Sequence, residues 1–155
     1  MTARELFEDA RQASWELHRH DMRYNAMERR ALSLGGASDA KVSAGSIRDR
    51  MGAVDAMADY EAMMERRVAE WCAVLDYATA VLYGADWHHG IEAELGTGYA
   101  EVLDYIYIQH CSMRVTALLT HYSRRTCYNM RTRAFAFIDA VGTDYLVHGG
   151  EAPAD

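Results

Sequence analysis

The sequence predicts an all-α protein, a long antiparallel, coiled-coil-like helical hairpin followed by a small module of short helices. Three observations carry this. Apolar residues recur at alternating steps of four and three over two stretches of about thirty residues or more. The only proline is Pro153, so nothing earlier in the chain interrupts a helix. Gly35-Gly36 and Gly84 stand where the two periodic stretches end.

The first seam runs Leu6, Ala10, Ala13, Leu17, His20, Tyr24, Met27, Ala31, Leu34, with His20 as its polar interruption. Thr2 stands three residues before Glu5, the spacing of a capping box. Gly35-Gly36-Ala37-Ser38-Asp39 ends the helix and supplies a loop. The second seam runs Ile47, Arg50, Val54, Met57, Glu61, Met64, Val68, Trp71, Leu75, Ala78, Leu82, with Arg50 and Glu61 as polar interruptions, and it breaks at Tyr83-Gly84-Ala85-Asp86. Each seam is a narrow stripe fit for one partner helix, so the helices pair within the chain or between two copies of it. Met51, Met57, Met63 and Met64 fall on the second helix and read first as flexible packing residues.

Beyond residue 84 the text changes. Residues 85–98 read as a glycine-spaced linker with a short helical turn around Ile91–Leu95. Three helices follow: Tyr99–Gln109, Met113–Thr120, and one that begins at the N-cap residue Ser123 and stops at Gly142. On the last, Cys127, Met130, Ala134 and Ile138 repeat at helical spacing as the inward stripe, and Arg124, Arg125, Tyr128, Asn129 and Thr132 form the outward one. A short helix, a three-residue link and a longer helix make a helix-turn-helix. The expected organisation is residues 1–84 hairpin, 85–98 linker, 99–142 helix-turn-helix module and 143–155 flexible tail.

Charge sharpens the reading. The chain carries a net −7, but residues 1–97 hold −6 of it and residues 98–155 only −1. Met113 to Ile138 contains Arg114, Arg124, Arg125, Arg131 and Arg133 and no acidic residue. Attraction to phosphate is screened over roughly 8 Å at physiological salt, so the local charge governs it. Arginine can hold guanine in a bidentate manner, asparagine can do the same for adenine, and a serine-capped helix N-terminus can hold a phosphate.

The strings Tyr99-Ala-Glu-Val-Leu103-Asp-Tyr-Ile-Tyr107, Met113-Arg-Val-Thr-Ala117, Tyr122-Ser123-Arg-Arg-Thr-Cys127-Tyr-Asn-Met130 and Arg133-Ala134-Phe135 resemble region 4 of sigma factors. Together with the opening Met1-Thr-Ala-Arg-Glu-Leu and the text Lys41-Val-Ser43, the chain is similar over most of its length to small phage and prophage proteins of the sigma-like ArpU/RinA type. The resemblance implies a phage-type, sequence-specific DNA-binding transcriptional regulator with double-stranded DNA as its partner, and in that reading the long helices supply a homodimer contact or a contact with RNA polymerase. It places Arg124, Arg125, Tyr128 and Asn129 on the reading surface and Arg114, Arg131 and Arg133 on phosphates, with the Ser123 cap at the helix start also suited to a phosphate. The core would include Leu103, Tyr107, Met113, Ala117, Cys127, Met130, Ala134 and Phe135. Thr116 and Thr120 stand where the family favours aliphatic residues, His121 where glycine is usual, and Leu118 and Leu119 are apolar on a helix that needs an exposed side. The alternative is a non-enzymatic helical adaptor whose helix-turn-helix has become a protein contact.

Other chemistry finds little support. His18 and His20 point apart on one helix, His88-His89 lie near no predicted cysteine, and His110 and His121 flank the short second helix. There is no glycine-rich phosphate loop, no H-E-x-x-H and no paired carboxylate motif, so no enzyme, cofactor or metal site is expected. The scattered cysteines Cys72, Cys111 and Cys127, the lack of an apolar run of membrane length and the charged first thirty residues fit a cytoplasmic chain without a membrane segment.

Overall fold

The computed structural model describes residues 1–35 and 44–150. The loop expected around 36–39, the text at 41–43 and the last residues of the expected tail lie outside them. Among the described residues there are seven α-helices and no strand: α1 (Ala3–Gly35), α2 (Ala44–Tyr83), α3 (Gly90–Leu95), α4 (Thr97–Leu103), α5 (Met113–Thr120), α6 (Arg124–Val141) and α7 (Thr143–His148). No described helix is long and apolar enough to cross a membrane.

The chain forms two compact units, one of residues 1–15 and 71–155 and one of residues 16–70. In the first, α1 starts with the capping box read from the sequence. Glu5 N–H donates to Thr2 Oγ1 (3.3 Å) and Thr2 N–H to Glu5 Oε2 (2.7 Å), which holds the Glu5 carboxyl below its usual range. Ala3 N–H also donates to Asp139 Oδ1 (2.6 Å), fastening the start of α1 to α6. Phe7, one residue off the predicted seam, is fully buried, with its ring 5.6 Å from Tyr107 and 5.7 Å from Phe135. Val81, Leu82, Ile91, Leu103, Ile138 and Leu146 complete the centre of this core. The compact units therefore do not divide at residue 84, because Ala3, Leu6, Phe7 and Ala10 bury themselves among the later helices.

Two local features depart from the sequence reading. α4 begins at Thr97 and runs into a π-helical turn over Asp104–Ile108, closed by Gln109 N–H to Asp104 O (3.0 Å). The extra residue in that turn lets Ile106 and Tyr107 both point inward. Residues 143–148, assigned by sequence to a flexible tail, are the helix α7. Leu146 and Val147 are buried, and Ala85 N–H donates to Val147 O (2.9 Å), so burial orders a segment too short to hold helix by itself.

In the second unit the α1 seam residues Leu17, His20, Tyr24, Met27, Ala31 and Leu34 are all half-buried. His20 Nδ1 lies 3.1 Å from Tyr60 Oη with the rings stacked at 5.3 Å, and Met27 and Leu34 line a depression with Ala53 and Ala56. The part of α2 turned inward is thus Ala53, Met57, Tyr60 and Met64. Ile47, Arg50, Val54 and Glu61, which the sequence reading placed on the seam, are exposed. Tyrosine at 60 supplies a large ring and a hydroxyl for His20, which the stripe through Glu61 lacks.

Candidate nucleic-acid interface

Ser112 caps α5, its hydroxyl accepting from Val115 N–H (3.3 Å), and Thr116 donates its hydroxyl to Ser112 O (3.0 Å). Thr116 is fully buried yet satisfied, and Thr120 in turn donates to Thr116 O (2.7 Å). The polar atoms that stand in place of aliphatic residues therefore have partners within their own helix. His121 follows with φ +60°, the left-handed conformation that glycine adopts more easily. Ser123 then caps α6, accepting from Thr126 N–H (3.0 Å) and lying 2.8 Å from Thr126 Oγ1.

α6 buries Cys127, Ala134 and Ile138, with Met130 and Phe135 packed beside them. Leu103 and Tyr107 are buried against the same core, and Met113 and Ala117 pack on it. The opposite side exposes Arg124, Arg125, Tyr128 and Asn129, with Ser123 and Thr126 at the helix start and Thr132 one turn on. Tyr128 is 47% exposed. Arg114, on α5, is exposed and borders a shallow depression of about 470 Å³ with Ala117, Leu118, Tyr122 and Arg124. Among the described residues no ion pair engages Arg114, Arg124, Arg125, Arg131 or Arg133. The charges of the exposed Arg114, Arg124 and Arg125 are therefore available to an anionic partner.

Two of the predicted phosphate contacts are tied inward. Arg131 is half-buried, with its guanidinium 5.1 Å from the Tyr128 ring centre and its charge near the Tyr107 hydroxyl. Burial raises the Tyr107 pKa, and the nearby Arg131 charge offsets part of that rise. Arg133 donates to Tyr99 Oη (3.3 Å) and lies 5.9 Å from that ring centre, while remaining exposed. Tyr99 thus belongs to the surface as a support, while Tyr107 stays in the core. The sequence reading puts Tyr107 in the core and gives Tyr99 only as the start of its helix, because a partner 34 residues away leaves no local spacing signal.

A second juxtaposition has a structural reading. Ser14 Oγ lies 2.8 Å from His110 Nε2 and donates to Ile108 O at 2.6 Å. A hydroxyl has one proton. With it committed to Ile108, the ring must donate to Oγ, so the histidine holds the serine and does not draw its proton away. Among the described residues no three His, Cys, Asp or Glu side chains gather closely enough to hold a metal ion, and the three cysteines are free.

No family model matches this chain, and no curated protein or solved structure matches it.

Proposed function

We propose that the chain is a phage- or prophage-type, sequence-specific DNA-binding transcriptional regulator without catalytic activity. In this reading residues 1–84 make an antiparallel helical hairpin, and α4, α5 and α6 form a helix-turn-helix of the sigma region 4 kind. α6 enters the major groove from Ser123. One observation carries the proposal: the exposed side of its first turns presents Arg124, Arg125, Tyr128 and Asn129 behind a serine cap, in a stretch without a single acid. Arg124 and Arg125 fit guanine edges or flanking phosphates, Asn129 fits adenine, and Tyr128, held by Arg131, offers its ring and hydroxyl at the groove. Arg114 and Arg133 serve as phosphate contacts in this reading. The long helices serve self-association or a contact with RNA polymerase in the cytoplasm.

The test is selection of bound sequences from a random duplex pool, followed by affinity measurements over a salt series. A recurring motif is expected, with alanine at Arg124 or Arg125 costing about 1–3 kcal/mol and loosening discrimination. A pool that enriches nothing overturns the reading.

A specific observation favours a second reading, a non-enzymatic adaptor. Leu118 is 67% exposed, Leu119 48%, Val115 40% and Tyr122 39%, a run of apolar side chains in the place where a DNA-facing module needs polar ones. If this face is the working surface, Leu118→Glu abolishes capture of the partner while binding to DNA stays weak and sequence-blind. Retention on DNA that is flat near physiological salt also favours the adaptor.

A further inference from the structure

Within residues 47–64, α2 has one side too many. Ala53, Met57, Tyr60 and Met64 are turned inward, and Tyr60 meets His20 of α1. On the opposite side Ile47, Met51, Val54, Ala58 and Ala62 follow one another at steps of four, three, four and four, the spacing of a second apolar stripe. Ile47 is 50% exposed, Met51 63% and Val54 52%, and the two alanines are exposed as well. Three large apolar side chains on consecutive turns, followed by small ones, form a contiguous patch about 22 Å long at 1.5 Å per residue.

We propose that this outer stripe of α2 is the surface on which a second copy of the chain docks, the two α2 helices lying antiparallel about a two-fold axis. The charges at its borders select this occupant. In such a pairing each border of one helix lies against the same border of the other. Arg50 and Glu61 share one border and Arg48 and Asp59 share the other, and all four are exposed. With the axis near residues 54–55, Arg50 comes within roughly 3 Å, measured along the helix, of the level of Glu61 on the second copy, and Arg48 does the same with Asp59. Four opposite-charge contacts result from two residues of each sign. The large Met51 then lies against the small Ala58 region of its counterpart. One pair opposes the arrangement, because Asp55 of the two copies meets itself close to the axis. The inference assigns a role to the long helices within the reading proposed above, and its test contains no DNA, so the two stand or fall separately.

The experiment is sedimentation equilibrium of the full chain without DNA, with circular dichroism confirming that each variant keeps its helix content. The expected result is a reversible dimer. Met51→Glu should leave only monomer. Arg50→Glu or Glu61→Arg should each weaken the dimer about tenfold, since both symmetry-related pairs change from attraction to repulsion. An equimolar mixture of those two variants should recover the parent affinity, because every pair is then of opposite sign. Asp55→Asn should tighten the dimer. Glu61 also lies near the Tyr24 hydroxyl, whose proton its charge holds, and Arg50→Glu leaves Glu61 in place and so separates the two effects. A chain that stays monomeric up to about 100 µM overturns the proposal, as does a dimer indifferent to Met51→Glu or not restored by the mixture.

Discussion

Gly90→Ala and Gly96→Ala separate the cost of backbone strain from the cost of collision. Gly90 opens α3 with φ +91°, and a Cβ there would lie 2.6 Å from both Gly84 N and Leu82 O. Those are backbone atoms at the end of α2. They are held by Gly84 N–H to Ala80 O (2.7 Å) and by the neighbouring Ala85 N–H to Val147 O (2.9 Å), so neither can step aside. Gly96 has φ +104° and nothing within 4 Å of its added Cβ. The Gly96 variant therefore carries the conformational cost alone, about 1–2 kcal/mol. The Gly90 variant adds the cost of overpacking, about 1–3 kcal/mol, for a total near 4 kcal/mol. For a cooperative unit of about 100 residues each kcal/mol lowers Tm by roughly 4–8 °C. Thermal unfolding followed by circular dichroism should then show a loss of roughly 20 °C for Gly90→Ala and roughly 10 °C for Gly96→Ala. Equal losses in the two variants would refute the claim that the α2 end blocks a side chain at position 90.

Arg131→Ala should cost about 1 kcal/mol in chemical denaturation, since it strips the Tyr128 ring of its cation. It should also reduce DNA discrimination with less change in the salt slope than Arg124→Ala, and a full one-phosphate drop in slope would show that Arg131 contacts the backbone directly. Ser123→Ala removes the α6 cap and should lower stability by about 1 kcal/mol, whereas Ser123→Asp should keep it; a neutral alanine variant would show the cap to be idle. Burial first, and then Asp104, raise the Tyr83 pKa well above its usual value, so the folded chain holds that proton while the unfolded chain releases it from about pH 10. The associated stability is complete below that pH and declines above it, and Tyr83→Phe should make the alkaline decline shallower in denaturant titrations.

Parts of this architecture are legible in the residues themselves. The capping box at Thr2 and Glu5, the cap at Ser123 and the inward stripe of α6 are encoded by spacings of three and four, which survive in the folded chain because they are local. The seam on α2 is less legible. Around the shared Met57, Ile47 and Val54 fit the alternation as well as Ala53 and Tyr60 do, and only the position of His20 on the other helix decides which stripe turns inward. α7 is hidden for another reason: six residues between Gly142 and Gly149 carry too little helical preference to be seen, and their order comes from Leu146 and Val147 entering a core built elsewhere. At the candidate interface, the exposed residues from Arg124 to Asn129 follow from α6 periodicity. The tie of Arg133 depends on Tyr99, on a preceding element, and no pattern in α6 announces it.

The burial of Phe7 also bears on the order in which the chain becomes structured. Its ring neighbours are Tyr107 and Phe135, 100 and 128 positions later. While α1 and α2 are being made, that aromatic side has nothing to close on, whereas His20 and Tyr60 are only 40 residues apart. Residues 16–70 can therefore acquire protection early, and the first two turns of α1 must wait for α6. Pulse-labelled hydrogen exchange during refolding should find the amides around Phe7 protected together with those of α6 and later than those of the 16–70 unit. The opening turns of α1 are thus among the last parts of the chain to settle.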